Sequence, residues 1–249
     1  MDEAGNLWMI AQSPNMVYLV DSGVPAESDV PWLRVSPRVG VLEPGESVEV
    51  KVVINTTSLS PAAYQAGLLV RSNSGRTPVL RLPVSLILSG YRRGINAGGP
   101  LYIDSANERW TRDRKYNNGH WGYIIDRGKA KTRRGIAGTR DDPLYQVARL
   151  NPYAYRFDGL PAGVYQVELR FAEIEGLDIQ QRLFDVVIEN NMMLAAYDIS
   201  YYVGTYRAAN HIFFVEVSQD GRLDIRLIRR FGYEPPILNA LRITHRPDY

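Results

Sequence analysis

The chain has 249 residues, 45% of them hydrophobic and 22% charged, with no cysteine. That is the composition of a folded globular protein, and it excludes a disordered chain, a disulfide framework and any thiolate chemistry. Lys and Arg number 29 against 27 Asp and Glu, too balanced to make nucleic acid the default partner, and no apolar run reaches the roughly 18 residues of a membrane span.

Met1-Asp2-Glu3-Ala4-Gly5 is acidic and has no apolar core, so it does not read as a secretory signal. A first strand is expected around Met16-Val17-Tyr18-Leu19-Val20. From there the apolar period is two almost everywhere. The valines of Ser47-Val48-Glu49-Val50-Lys51-Val52 share one face and the charges the other. Leu80, Leu82, Val84, Leu86 and Leu88 alternate with Arg81, Pro83 and Ser85. Tyr165, Val167, Leu169 and Phe171 alternate with Gln166, Glu168 and Arg170, and Leu223, Ile225 and Leu227 with Asp224 and Arg226. Such runs are strands with one buried face. Turns punctuate them at Glu43-Pro44-Gly45-Glu46, Asn73-Ser74-Gly75, Leu160-Pro161-Ala162-Gly163 and Gln219-Asp220-Gly221. No long amphipathic helix is expected. The fold class is all-β, as two sandwiches. The break at Ser89-Gly90, where a leucine strand gives way to a glycine-rich segment, divides the chain into modules 1–89 and 90–249.

The first module carries Trp32-Leu33-Arg34-Val35-Ser36-Pro37, then Gly40, then Pro44-Gly45-Glu46-Ser47. It resembles the small immunoglobulin-like, BACON-type repeats of bacterial extracellular proteins, which act mostly as spacers. The second module holds Ile95-Asn96-Ala97-Gly98-Gly99, Tyr102-Ile103-Asp104-Ser105 and Asp142-Pro143-Leu144-Tyr145-Gln146-Val147-Ala148-Arg149. Phe171-Ala172-Glu173-Ile174, Arg182-Leu183-Phe184-Asp185-Val186 and Pro236-Ile237-Leu238-Asn239-Ala240-Leu241 follow in order. These blocks, over about residues 92–244, resemble the malectin domain. The resemblance implies a jelly-roll-like, galactose-binding-like β-sandwich whose loops at one end bind a short glucan or related sugar.

A sugar site needs an aromatic plane for the C–H face and carboxylates or amides for the hydroxyls. The loop Tyr116-Asn117-Asn118-Gly119-His120-Trp121-Gly122-Tyr123 has that composition. Trp121-Gly122 stands where animal malectin has a sugar-contacting tyrosine before glycine; the alternative is that Trp121 and Tyr123 cap the core. Three aromatic contacts of that family are lost here, and one carboxylate is kept. Leu150 replaces a tyrosine, Glu175-Gly176 replaces a Tyr-Phe pair, and Glu234 matches an aspartate. The candidate carbohydrate-binding residues are therefore Trp121, Tyr123, Tyr116, Glu175 and Glu234. Tyr153 and Tyr202 are candidates for a replacement stacking plane.

Rival chemistries lack their motifs. His120, His211 and His245 form no metal-ligand spacing, no G-x-S-x-G elbow is present, and no glycine loop opens a helix. Asp141-Asp142, if on a strand, would point to opposite sides and make a poor glycosidase pair; Asp142 is expected to tether a turn. No cofactor or metal is implied, although jelly rolls often carry a calcium. The densest charge run is Arg127, Lys129, Lys131, Arg133, Arg134 and Arg140, either a solvated loop or a site for phosphate or an anionic polysaccharide. The expectation is a non-catalytic carbohydrate-binding module of a larger bacterial secreted or surface protein. Its expected partners are an oligosaccharide or glycan and other domains of the parent protein, with neither nucleic acid nor a membrane span. The alternative is a structural or protein-interaction module with a lost sugar site.

Overall fold

Alternating apolar residues build strands throughout, because each pleated segment buries one face and solvates the other. The computed structural model describes residues 7–10, 16–24, 28–73, 76, 78–125 and 127–249, with side chains from residue 30 onward. The chain divides into two compact units, Met1–Leu88 and Ser89–Pro247. Residues 1–6 lie outside the described residues, as do Ser74 and Gly75 of the expected Asn73-Ser74-Gly75 turn.

Strands of the first unit are β1 (Leu7–Ile10), β2 (Met16–Val24), β3 (Ser28–Asp29), β4 (Leu33–Ser36), β5 (Val39–Leu42), β6 (Ser47–Ile54), β7 (Ala62–Ser72) and β8 (Val79–Leu88). They form one sheet of order β1-β6-β4 and another of order β3-β2-β7-β8, with β5 paired to β2. Trp32, Leu33, Leu42, Val50, Leu68 and Val70 fill the core between them. Trp32 meets the edge of Tyr64 at 6.1 Å.

The second unit contains β9 (Arg92–Asn96), β10 (Tyr102–Ile103), β11 (Arg109–Arg112), β12 (Trp121–Ile124), β13 (Lys129–Lys131), β14 (Val147–Leu150), β15 (Ala154–Phe157) and β16 (Gly163–Phe171). It continues with β17 (Phe184–Ile188), β18 (Asn191–Tyr197), α1 (Ile199–Val203), β19 (Ala209–Val217), β20 (Leu223–Arg229), β21 (Ile237–Leu238) and β22 (Ala240–His245). Two large sheets, β10-β11-β9-β22-β16-β19 and β12-β15-β20-β17-β18, make the sandwich, with a small sheet β13-β14-β21 beside them. Tyr165, Val167, Leu169 and Phe171 on β16 are fully buried, as the alternation dictates. Phe171 packs on Phe184 at 5.8 Å and Tyr197 at 5.3 Å. The five-residue α1 is started by Asp198, whose side chain accepts the Tyr201 amide. Asp142 lies in a 3-10 turn rather than a strand, and its carboxylate accepts the Ile136 amide.

Candidate functional site

Four segments converge beyond the ends of β12, β14, β16 and β20. Leu150 pairs with Ile237, and the Asn151 amide donates to the Pro236 carbonyl at 2.7 Å. The Arg127 amide donates to the Leu150 carbonyl, and the Leu150 amide to the Gly128 carbonyl at 3.0 Å. The third segment follows β16, where Ala172, Glu173 and Ile174 stay buried and Glu175 emerges.

One guanidinium fastens this third segment to the fourth. Arg182 Nε donates to Glu173 Oε2 and Nη2 to Glu175 Oε2, both at 2.7 Å, while Nη1 donates to the Pro235 carbonyl. Glu175 keeps 41% of its side chain in solvent, so its carboxylate retains acceptor capacity beyond the arginine. Next to Pro235, the Glu234 amide donates to the Gln181 carbonyl at 2.9 Å, and the Glu234 side chain is exposed with no ion pair among the described residues. Exposed rings edge the same end. Tyr153 is 58% exposed, its amide held by the carbonyls of Ile124 and Ile125. Tyr202, on α1, lies 5.3 Å from Tyr197, and α1 is tied to the third segment where Ser200 Oγ donates to the Leu177 carbonyl. Ile125 is 67% exposed and holds a φ of +48°, a conformation β-branched residues rarely adopt and one concentrated at functional loops.

Trp121, Tyr123 and Tyr116 are placed differently from the sequence expectation. Trp121 is not in a loop: it opens β12, pairs with Phe157 and is 9% exposed. Its ring stacks on Phe157 at 6.5 Å, with the guanidinium of Arg114 at 4.4 Å and that of Arg93 at 5.1 Å. No open face is left for a sugar. Gly122 forces this arrangement, since a Cβ there would come within 2.5 Å of the Tyr116 backbone nitrogen. Tyr123 is half-buried with the Arg149 guanidinium 3.8 Å from its ring centre. Arg149 in turn binds buried Asp113 through Nε at 2.9 Å and Nη2 at 2.7 Å. Burial pushes the Asp113 carboxyl up, against the pull of Arg149. Tyr116 donates to Asp158 Oδ2 at 2.5 Å, and Asp158 also accepts from the Gly119 amide and Arg222. These contacts close a turn.

Along β20, Trp121 is level with Leu223, whereas the Glu234 segment lies beyond Arg229. Six residues of strand amount to about 20 Å. Glu175 and Glu234 thus come together, and Tyr116 and Trp121 stand at the other end. The glycine-preceding residue beside Leu150 is Arg127, before Gly128, and not Trp121. That proximity rests on the pairing of β13 with β14, which no local signal in residues 116–128 announces.

Sequence reasoning also missed the buried polar frame. Asn239 is fully buried; its Oδ1 accepts the Ala172 amide and its Nδ2 donates to the Tyr145 and Val147 carbonyls. Glu173 and Arg182 are 1% and 2% exposed. These residues hold loops in place instead of facing solvent. Among the described residues no group of three or more acidic or histidine side chains is arranged to hold a metal.

The fold and this loop end define a β-sandwich protein of the galactose-binding-like type. A family model for the malectin domain matches residues 91–240, and the chain belongs to that family. It is 28% identical over 165 residues to Malectin-B of Xenopus laevis, spanning 60% of this chain and 58% of that protein. The chain thus covers less than two thirds of this relative. Among solved structures it is similar to a Bacteroides uniformis beta-glucuronidase, at TM-score 0.57 and 18% identity, covering 96% of this chain and 27% of that one. It is also similar to the ANXUR2 extracellular domain of Arabidopsis thaliana, at TM-score 0.54 and 14% identity, covering 97% and 80%. At these identities the likeness is one of fold.

Proposed function

We propose that the second unit is a non-catalytic carbohydrate-binding module that takes a short oligosaccharide at the loop end formed by residues 125–128, 150–153, 173–181 and 233–236. One observation carries this: Arg182 draws Glu175 and the Glu234-Pro235 segment together, beside Leu150, so three positions matching family sugar contacts meet there. Glu175 and Glu234 accept sugar hydroxyls. Tyr153 offers the apolar plane, its ring 58% exposed. Trp121, Tyr123 and Tyr116 support the sheet and the far turn.

The first unit serves as an immunoglobulin-like, BACON-type spacer, and the protein works outside the cell or at its surface, in a bacterium. Its extracellular placement is supported by the fold likeness to a plant receptor ectodomain. Calorimetric titration of the whole chain with neutral oligosaccharides tests the assignment. One aromatic plane gives weak binding, on the order of 0.1–1 mM, and Glu175→Gln with Glu234→Gln reduces it. No binding by the wild type at millimolar sugar would overturn it.

A further inference from the structure

Part of the basic run is strand. Lys129–Lys131 form β13, paired with β14, and Thr132 N carries the pairing on to Gln146 O. Arg127 N and Gly128 O both bond Leu150, and Gly128 holds a φ of +106°, which interrupts the strand before Lys129. Exposure then alternates along it. Arg127, Lys129, Lys131 and Arg133 are exposed, Gly128 and Thr132 are half-buried, and Ala130 is buried. Because a strand turns alternate residues to one side, Lys129, Lys131 and Arg133 share a face. Two two-residue steps make a row of about 13 Å. None of the three has an ion pair among the described residues. Desolvation holds the Lys129 ammonium below its usual range, with the Arg149 charge adding to the shift and Asp113 opposing it.

The row leads from one built feature to another. Before its start, beyond Gly128, Arg127 adjoins Leu150 at the loop end. At its finish, Lys131 and Arg133 line a cavity of about 390 Å³ together with Asn96, Tyr102, Thr132 and Gln146, a volume in the small-ligand range of about 300–1,000 Å³. Asn96 is 1% exposed, and its Nδ2 donates to the Pro100 carbonyl at 3.0 Å. Its Oδ1 is buried with no hydrogen-bond partner among the described residues.

We infer that this face binds an acidic polysaccharide chain, its anionic groups along Lys129, Lys131 and Arg133 and one sugar unit in the cavity beside Asn96. A saccharide fits better than a nucleic acid. No exposed aromatic is interleaved with the cations to stack bases, which single-strand binders rely on. The inference rests on the second unit being a carbohydrate-binding module.

The test is calorimetric titration of the whole chain at low salt with an alginate hexasaccharide, a dextran sulfate hexasaccharide, cellohexaose and a short single-stranded DNA. Alginate carries carboxylates alone and dextran sulfate carries sulfates alone, so the two separate the sources of charge. At least one is expected to bind tenfold or more tighter than both cellohexaose and DNA, and to weaken as salt rises. The triple variant Lys129→Gln, Lys131→Gln, Arg133→Gln should lose at least tenfold of that affinity. Its melting temperature should be unchanged, because all three side chains are exposed, and Lys131→Gln alone should lose severalfold. Acidic saccharides that bind no better than cellohexaose, a triple variant of unchanged affinity, or DNA binding as tight as either would overturn the inference. Neutral-sugar binding that survives in the triple variant leaves the loop-end site standing whatever the acidic arms give, and acidic binding without neutral binding leaves this face standing alone.

Discussion

Arg182 and Glu173 form an ion pair at 2.7 Å with side chains 2% and 1% exposed. Such a pair offsets its desolvation only while both partners remain. Removing the arginine strands a buried carboxylate and releases the Glu175 and Pro235 contacts at once. Arg182→Met should therefore destabilise the second unit by about 3–5 kcal/mol, read from denaturant unfolding. It should also abolish saccharide binding at the loop end. Arg182→Lys, which keeps the charge but loses the fork, should recover stability only in part.

Trp121 is fixed by Phe157 and by two guanidinium groups. Trp121→Ala should cost about 3–5 kcal/mol of stability, visible as a drop in melting temperature of many degrees. A near-neutral melt would mean the indole is free at the surface.

Phe171 closes the β16 core against Phe184 and Tyr197. Phe171→Ala should likewise cost about 3–5 kcal/mol. A loss under about 1 kcal/mol would place this strand face outward.

His211 bonds the Tyr197 hydroxyl through Nε2 at 2.9 Å and packs among Phe171, Tyr197 and Phe213. Burial lowers its pKa. The folded state thus favours the neutral ring, and protonation favours the unfolded chain. The stability this contributes is full above the unfolded value near 6.5 and is lost as pH falls through it toward the lower folded value. Melting temperatures measured from pH 8 to pH 5 should decline more steeply for wild type than for His211→Phe. Identical slopes would count against a half-buried, neutral His211.

Much of the fold was legible because its strands are long and alternate. Ser47–Ile54, Val79–Leu88, Gly163–Phe171 and Leu223–Arg229 are strands where the period of two placed them. Trp121 was not legible. Two glycines and two asparagines made residues 116–123 resemble a loop, yet β12 is held by β15, more than thirty residues on. Local composition carries no trace of that pairing. The loop end was half legible. Glu175 and Glu234 were singled out by resemblance, but the arginine joining their segments looked in sequence like any surface charge. Buried ion pairs have the same residue types as solvated ones, and only tertiary contact tells them apart.

The most direct test of where sugar binds is a map of backbone amide shifts in ¹⁵N-labelled chain titrated with a neutral oligosaccharide that calorimetry shows to bind. The loop-end assignment predicts shifts clustered at Gly128, Asn151, Tyr153, Glu175 and Glu234, with Gly119 and the Trp121 indole unmoved. Shifts centred on Asn118, Gly119 and Trp121 instead, with the Glu175 and Glu234 amides silent, would contradict it.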